Sequence, residues 1–323
     1  MAPILRVLSP GFLTTVQDAG RPGLGSSGIP RGGALDAEAL FAANVLAGNR
    51  GDEAGLEAWY VGPRLLASAP VAVVVAGGPF GPSPGRVVEL GPGDEIAIRP
   101  SDPSGPAGPA GPAGPAARCV VAVSGGIDVP PLLGSRSTLL SASFGGFEGR
   151  ALRAGDELPI GEPWRAPISG RSLPQELLGE KGETVVLRVG PGADLPLFPP
   201  ESRRRFFGTA WTILPESNRS GFRLGGAAVL PTDRGASPSL PTFPGVVEVT
   251  RDGTPIVLMA EGPVTGGYPQ IGAVAAVDLP RLARIRPGQR IRFLPVSWEE
   301  AAGLELARRE RMSAWARSLV SST

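Results

Sequence analysis

The 47 glycines and 37 prolines among 323 residues break nearly every apolar run before it is long enough for a helix. A helix interior loses about 1 kcal/mol at each glycine and about 3 kcal/mol at each proline. A chain punctuated this way is expected to fold as short strands joined by turns. The runs between the breaks are rich in Val and Ile: Val71–Ala76, Arg86–Leu90, Glu95–Arg99, Arg118–Ser124, Thr184–Val189, Val246–Thr250, Pro255–Met259 and Arg290–Leu294. Their close spacing predicts an all-β barrel or sandwich. Hydrophobic residues at 42% leave enough apolar side chain for a core, so the glycine and proline content does not read as disorder.

Two segments escape the punctuation. Ala34–Ala47 is Ala/Leu-rich, begins beside a capping candidate, Asp36, and stops at Gly48. Ser297-Trp-Glu-Glu300 is a capping box opening a C-terminal helix, with Leu304, Met312, Trp315 and Leu319 near one side. That stripe is expected to pack on the body or on a partner. A weak internal echo links Gly91-Pro-Gly-Asp, Arg153-Ala-Gly-Asp and Arg286-Pro-Gly-Gln, each a glycine turn feeding a strand. Gly105–Ala116 is four Gly-Pro-Ala triplets, too short for a collagen helix and expected to be an extended, mobile loop insertion between two strands. The Pro-, Gly- and charge-mixed stretch from Gly161 to Glu183 is the expected boundary between halves, giving 1–170, 171–296 and a C-terminal helix over 297–323.

What is missing prunes the chemistry. Charge is balanced, 31 basic against 30 acidic residues, so no basic stripe calls for nucleic acid or anionic lipid. The chain has no histidine, which removes Ser-His-Asp triads, Cys-His dyads and imidazole metal sites. Cys119 is alone, within an apolar run, and is expected to be a buried inert thiol. Lys181 is the only lysine and follows no GxxxxG, so there is no Walker A loop. No Met-Lys-Met marks a biotin attachment site. No membrane-length apolar stretch and no signal peptide stand out, so a cytoplasmic protein is expected.

Three glycine-rich clusters carry the remaining polar chemistry. The first, Thr14–Gly23 with Gly28–Asp36, gathers Gln17, Asp18, Arg21, Arg31 and Asp36. Such side chains can meet a ligand, though a pair of tight turns with capping carboxylates is the plainer reading. The second, Glu216–Leu224, offers Arg219 and Arg223 as planar forks for a carboxylate or phosphate, with Ser217, Asn218 and Ser220 beside them. Its plainer reading is a solvated turn. The third, Glu261–Gln270, places Thr265-Gly266-Gly267 at a strand end, where backbone N–H groups can form an anion nest, and adds Tyr268 as a donor or stacking surface. Its plainer reading is a hairpin loop.

In order, these segments resemble a known family, variously called the 5-oxoprolinase C-subunit, KipA, biotin-dependent carboxyltransferase or allophanate hydrolase second-subunit family. The resemblance rests on Pro10–Gly23, Gly28-Ile-Pro30, Gly33–Asp36, Ala43–Asn49, Val123–Asp128, Leu133–Thr138, Phe144–Leu152, Ser217–Leu224, Asp252–Leu258, Thr265–Pro269 and Asp278–Arg281, spread over roughly residues 3 to 296. It implies a mainly β fold of two cyclophilin-like β-barrel halves with a few short helices and a C-terminal helix. It implies one member of a complex that opens 5-oxo-L-proline to L-glutamate with ATP, beside a KipI-like partner and a further protein resembling the A component of 5-oxoprolinase. The alternatives it carries are the carboxyltransferase half of a urea-carboxylase-like biotin enzyme and a non-catalytic KipA-like antagonist of a histidine-kinase inhibitor.

On this resemblance Tyr268, Arg219 and Asp18 are the expected catalytic residues. Gln17, Arg21, Asp36, Asn218, Thr265, Gly266 and Gly267 are the expected substrate contacts, and no metal is expected. The chain departs from the family pattern at Pro263 and Val264, where members commonly carry Gln-Thr, and at Ser26-Ser27, where many carry a histidine.

Overall fold

The computed structural model describes residues 3–100, 105–108, 111–113, 118–180, 182–232 and 238–320. The chain divides into two compact units. Unit 1 holds Met1–Pro22, Gly32–Glu180 and Trp315–Thr323, and unit 2 holds Gly23–Arg31 and Lys181–Ala314. The division after Glu180 falls within the Gly161–Glu183 stretch, and the C-terminal helix is split by it, Trp315–Thr323 grouping with unit 1. Lys181 lies outside the described residues.

In unit 1 the strands are β1 (Ile4–Ser9), β2 (Phe12–Gln17), β3 (Gly55–Trp59), β4 (Arg64–Ala67), β5 (Val71–Ala76), β6 (Val87–Leu90), β7 (Glu95–Ala97), β8 (Gly105–Gly108), β9 (Gly111–Ala113), β10 (Arg118–Val123) and β11 (Glu157–Pro159). Helix α1 (Ala37–Leu46) follows β2. One sheet runs β11-β1-β4-β7 and the other β2-β3-β10-β5-β6. Leu5, Val7, Leu65, Ile96 and Leu158 from the first meet Val16, Leu56, Val73, Val75, Cys119 and Val121 from the second in one core. Isolated bridges Phe80↔Pro100 and Ile127↔Ile160 tie strand ends of one sheet to the other. The expected barrel is therefore two sheets stitched at their ends, because the links between them are single bridges. Strands β8 and β9 pair with each other. The Gly-Pro-Ala run thus has extended arms forming a hairpin, and its residues 109–110 and 114–116 lie outside the described residues.

In unit 2 the strands are β12 (Thr184–Pro191), β13 (Ala210–Ile213), β14 (Gly221–Gly225), β15 (Leu240–Pro241), β16 (Val246–Val249), β17 (Pro255–Leu258), β18 (Thr265–Gly266), β19 (Gln270–Val274) and β20 (Arg290–Pro295). Helices α2 (Pro200–Gly208) and α3 (Leu279–Arg284) lie between them, and α4 (Trp298–Val320) follows. Seven strands close a barrel in the order β12-β19-β16-β17-β14-β13-β20, with β12 and β20 parallel. Closure leaves no open sheet edge. Strand β20 alternates in the expected period of two, burying Ile291 and Phe293 and exposing Arg290 and Arg292. Trp211, Phe206 and Phe293 fill the core, Phe206 stacked on Phe293 at 4.6 Å. Strands β16 and β19 are buried at every position, so both their faces are covered. A separate two-stranded ribbon pairs β15 with β18.

The internal echo is one recurrent turn. Gly91, Arg153 and Arg286 each donate a backbone N–H to the side chain three residues on, Asp94 at 2.7 Å, Asp156 at 2.7 Å and Gln289 at 2.9 Å. The residue between is Gly93, Gly155 or Gly288, with φ of +88°, +93° and +86°. That left-handed conformation favours glycine, which explains why the sequence repeats. The expected helix caps also form. Asp36 accepts from the Ala39 N–H at 3.0 Å, and Ser297 Oγ from the Glu300 N–H at 3.1 Å. No helix among the described residues is long and apolar enough to cross a membrane.

Candidate functional site

Unit 1 binds its nominated polar residues into the scaffold. Asp18 Oδ1 accepts from the Gly20 N–H at 2.8 Å, from the Ser135 hydroxyl at 2.6 Å and from the Ser137 hydroxyl. Its Oδ2 accepts from the Arg136 N–H at 2.5 Å. Four donors thus reach this carboxylate, three at Oδ1 and one at Oδ2. Arg21 donates through Nε to the Leu132 carbonyl at 3.1 Å and through Nη2 to the Ser137 carbonyl, with its guanidinium 4.9 Å from the Phe144 ring centre. Gln17 Nε2 donates to Thr15 Oγ1 at 3.0 Å and to the Thr138 carbonyl at 3.1 Å.

These bonds give each nominated side chain a place in the scaffold. Gln17, Asp18 and Arg21 fasten the end of β2 to residues 132–138, and Asp36 starts α1. Gln17 is tied only through its amide nitrogen: its Oε1 is buried with no hydrogen-bond partner among the described residues.

In unit 2, Arg219 lies in the loop between β13 and β14. Its Nε donates to Glu261 Oε1 at 2.5 Å, with both side chains buried. The main chains are joined as well, Glu261 N–H to the Arg219 carbonyl and Met259 N–H to the Ser220 carbonyl, each at 3.0 Å. Arg219 is neither a solvated turn residue nor a free fork. It is half of a buried ion pair that clamps this loop to the chain leaving β17. Asn218 Oδ1 accepts from the N–H groups of Ser220 and Gly221 at 2.8 and 3.3 Å, closing its own turn.

The segment after the clamp reaches the surface. Thr265 and Tyr268 are exposed, Tyr268 at 42%. Gly266 is extended and paired with Leu240, so the expected nest does not form there: a nest needs residues of alternating hand, and a strand has none.

Beneath that ribbon lies a residue that no sequence motif marks. Glu248 stands in β16 among Val246, Val247 and Val249 and is only 4% exposed. It lies opposite Gln270 on β19 and Ile256 on β17. Gln270 turns its amide away, donating to the Pro241 carbonyl at 3.1 Å, while its N–H donates to Asp194 at 2.9 Å. Glu248 Oε1 has no hydrogen-bond partner among the described residues. Burial alone pushes the carboxyl up to about 7. The carboxyl fills the space a side chain at Gly266 would need, since a Cβ there would collide with Oε1. The available signal was the valine-rich run on either side of it. Val246 and Val247 on opposite faces imply a strand covered on both sides, which buries whatever charge follows.

Comparison with known proteins gives one consistent picture. A family model described as carboxyltransferase domain, subdomain A and B, matches residues 27–295. The chain is 37% identical to the C subunit of 5-oxoprolinase from Escherichia coli over 302 residues, 92% of this chain and 93% of that protein. It is 32% identical to the C subunit of 5-oxoprolinase from Haemophilus influenzae, covering 90% of each. The crystal structure of the Kluyveromyces lactis urea amidolyase superposes with a TM-score of 0.85 at 26% identity, over 97% of this chain and 20% of that one.

Proposed function

The chain belongs to the carboxyltransferase domain family, subdomains A and B, and on that premise we propose that it is the C component of a 5-oxoprolinase-like complex that opens 5-oxo-L-proline to L-glutamate at the expense of ATP. The observation that carries this reading is the 37% identity to a 5-oxoprolinase C subunit along 92% of the chain and 93% of that relative. The complex includes a KipI-like companion, and a protein resembling the A component of 5-oxoprolinase completes it.

In this reading the substrate meets the surface formed by Thr265, Gly266, Gly267 and Tyr268. Glycine allows the main chain to approach the ligand, and the Tyr268 hydroxyl donates toward the carbonyl oxygen as charge develops there. Arg219, with Glu261, holds the loop that flanks this segment. It acts as a positioning residue. ATP is a co-substrate of the complex. The chain has a single lysine and no Walker A loop, so no residue set here is assigned to ATP and no step runs through it.

The test is co-expression with the KipI-like companion and the A-component-like protein, followed by glutamate formation from 5-oxo-L-proline. Glutamate should appear only with ATP and the full set of chains. A stable complex that makes none would overturn the proposal. The fold likeness to urea amidolyase favours a second reading, carboxyl transfer to a urea-like substrate with biotin carried on another chain. Urea-dependent turnover with a supplied biotin carrier would select it.

A further inference from the structure

We infer that Glu248 is a further catalytic residue of this site: its carboxyl, seated against Gly266, exchanges a proton with the ring nitrogen of the bound cyclic amide. This rests on the ring-opening reading above.

Three observations on the fold point there. The first is placement. Glu248 occupies a strand otherwise made of valine, covered on both faces, where a carboxyl is destabilising unless it is fully hydrogen-bonded. The second is the unfilled oxygen. Oε1 is buried and has no partner among the described residues, and the polar side chain registered opposite, Gln270, donates to Pro241 instead. A carboxyl whose neighbour is tied elsewhere retains a site for another group. The third is proximity. The carboxyl lies against the Cα of Gly266, a residue without a side chain, whose chain neighbour Thr265 is exposed.

The chemistry needs such a group. Opening a lactam forms a C–O bond from water and breaks the ring C–N bond. The electron pair of the C–N bond goes to nitrogen, which must gain a proton to leave as an amine. In the step inferred here, the carboxylic acid of Glu248 gives that proton, and the resulting carboxylate takes one back from the attacking water. Water supplies one proton and one hydroxyl, so the residue ends as it began. Proton transfer is most effective when the donor titrates near the working pH.

Alternatives on this chain are unsuited. Histidine is absent. Burial raises the Cys119 thiol and the Tyr60 phenol further from neutrality. Asp18 already accepts from four donors and Glu261 is held by Arg219. The residues facing Glu248 are Ile256 from β17, Gln270 from β19 and Gly266 from β18, none of which titrates. Its carboxyl therefore responds to burial, not to a neighbouring charge.

The experiment uses the assembled complex and 5-oxo-L-proline, with Glu248→Gln and Glu248→Asp. Glu248→Gln should lower kcat by roughly 100-fold or more, leave KM within a few-fold, and remove the limb of the pH–rate profile near pH 7. Its melting temperature should not fall. Glu248→Asp should restore part of kcat and return the limb. Wild-type kcat in Glu248→Gln, an unchanged limb, or a loss of kcat accompanied by a large drop in melting temperature would each overturn the inference. Absence of turnover in the wild-type complex would overturn it together with the ring-opening reading. Turnover in wild type with an equal rate in Glu248→Gln would overturn the inference alone.

Discussion

Replacing Glu248 by glutamine should stabilise unit 2 above neutral pH, and the size of the gain follows from the burial of one carboxyl. Burial raises the group from 4.5 to about 7. A group whose folded value is raised binds its proton more tightly in the folded state. Its contribution to stability is full below about pH 4.5, falls as pH rises, and is gone above about pH 7. At about 1.4 kcal/mol per unit, the whole window is worth about 3 kcal/mol. Glutamine keeps the shape and never ionises. Between pH 5 and pH 8.5 the wild type should therefore lose about 2–3 kcal/mol relative to Glu248→Gln, with other titrating groups cancelling in the difference. Urea unfolding at both pH values measures it, read by fluorescence from Trp211, which is buried in the same barrel near Phe206 at 6.3 Å. Parallel curves for the two proteins, within about 0.5 kcal/mol, would refute the reasoning. They would mean that the carboxyl is solvated or that Oε1 is already bonded.

Alanine at Arg219 or at Glu261 should each cost about 3–5 kcal/mol, because either leaves a buried charge unpaired, and the double variant should cost less than the sum; denaturant titration of all three checks it. Asp18→Asn should cost about 1–3 kcal/mol through lost acceptors for the Gly20 and Arg136 N–H groups and the Ser135 and Ser137 hydroxyls, seen as a lower melting temperature. Gly266→Ala should destabilise the wild type, whose Glu248 carboxyl occupies that space, and should cost markedly less in a Glu248→Ala background, a coupling read from a double-mutant cycle. Tyr268→Phe should leave stability within about 0.5 kcal/mol, since the ring is exposed, while lowering turnover of the complex.

Much of the fold was legible because its signals are local. Val71–Ala76 is the strand β5 at both bounds, and the other named runs differ from their strands by a residue or two at an end. The Asp36 and Ser297 caps and the repeated glycine turn were readable for the same reason: each depends on residues within four positions of one another. What escaped is non-local. Closure of the second unit depends on the parallel pairing of β12 with β20, more than a hundred residues apart, and nothing in either run announces it. The assignment of Gly23–Arg31 to unit 2 is equally invisible in sequence. The polar clusters were legible, but the distant partners that hold them were not. Arg219 meets Glu261 across 42 positions and Asp18 meets Ser135 across 117.

Residue type and glycine context identified side chains able to bind a ligand, whereas the folded chain decides which still have valence to spare. Asp18 has four donors, Asn218 closes its own turn, and Asp278 receives three hydrogen bonds from Arg188. Each is committed to holding the scaffold. Glu248 has none of these attachments at Oε1, and the cause lies in the pairing of strands rather than in its neighbours in sequence. A chain without histidine can place a proton donor near neutrality by burying a carboxyl away from cations. That requires a strand covered on both faces and a partner strand whose polar side chain is tied elsewhere. Strand β16 meets the first condition. Gln270, held by Pro241 and Asp194, meets the second. The same Gly266 that admits the carboxyl belongs to the surface ribbon carrying Thr265. The buried strand carboxyl whose Oε1 has no partner among the described residues therefore lies directly under the ribbon that carries Thr265.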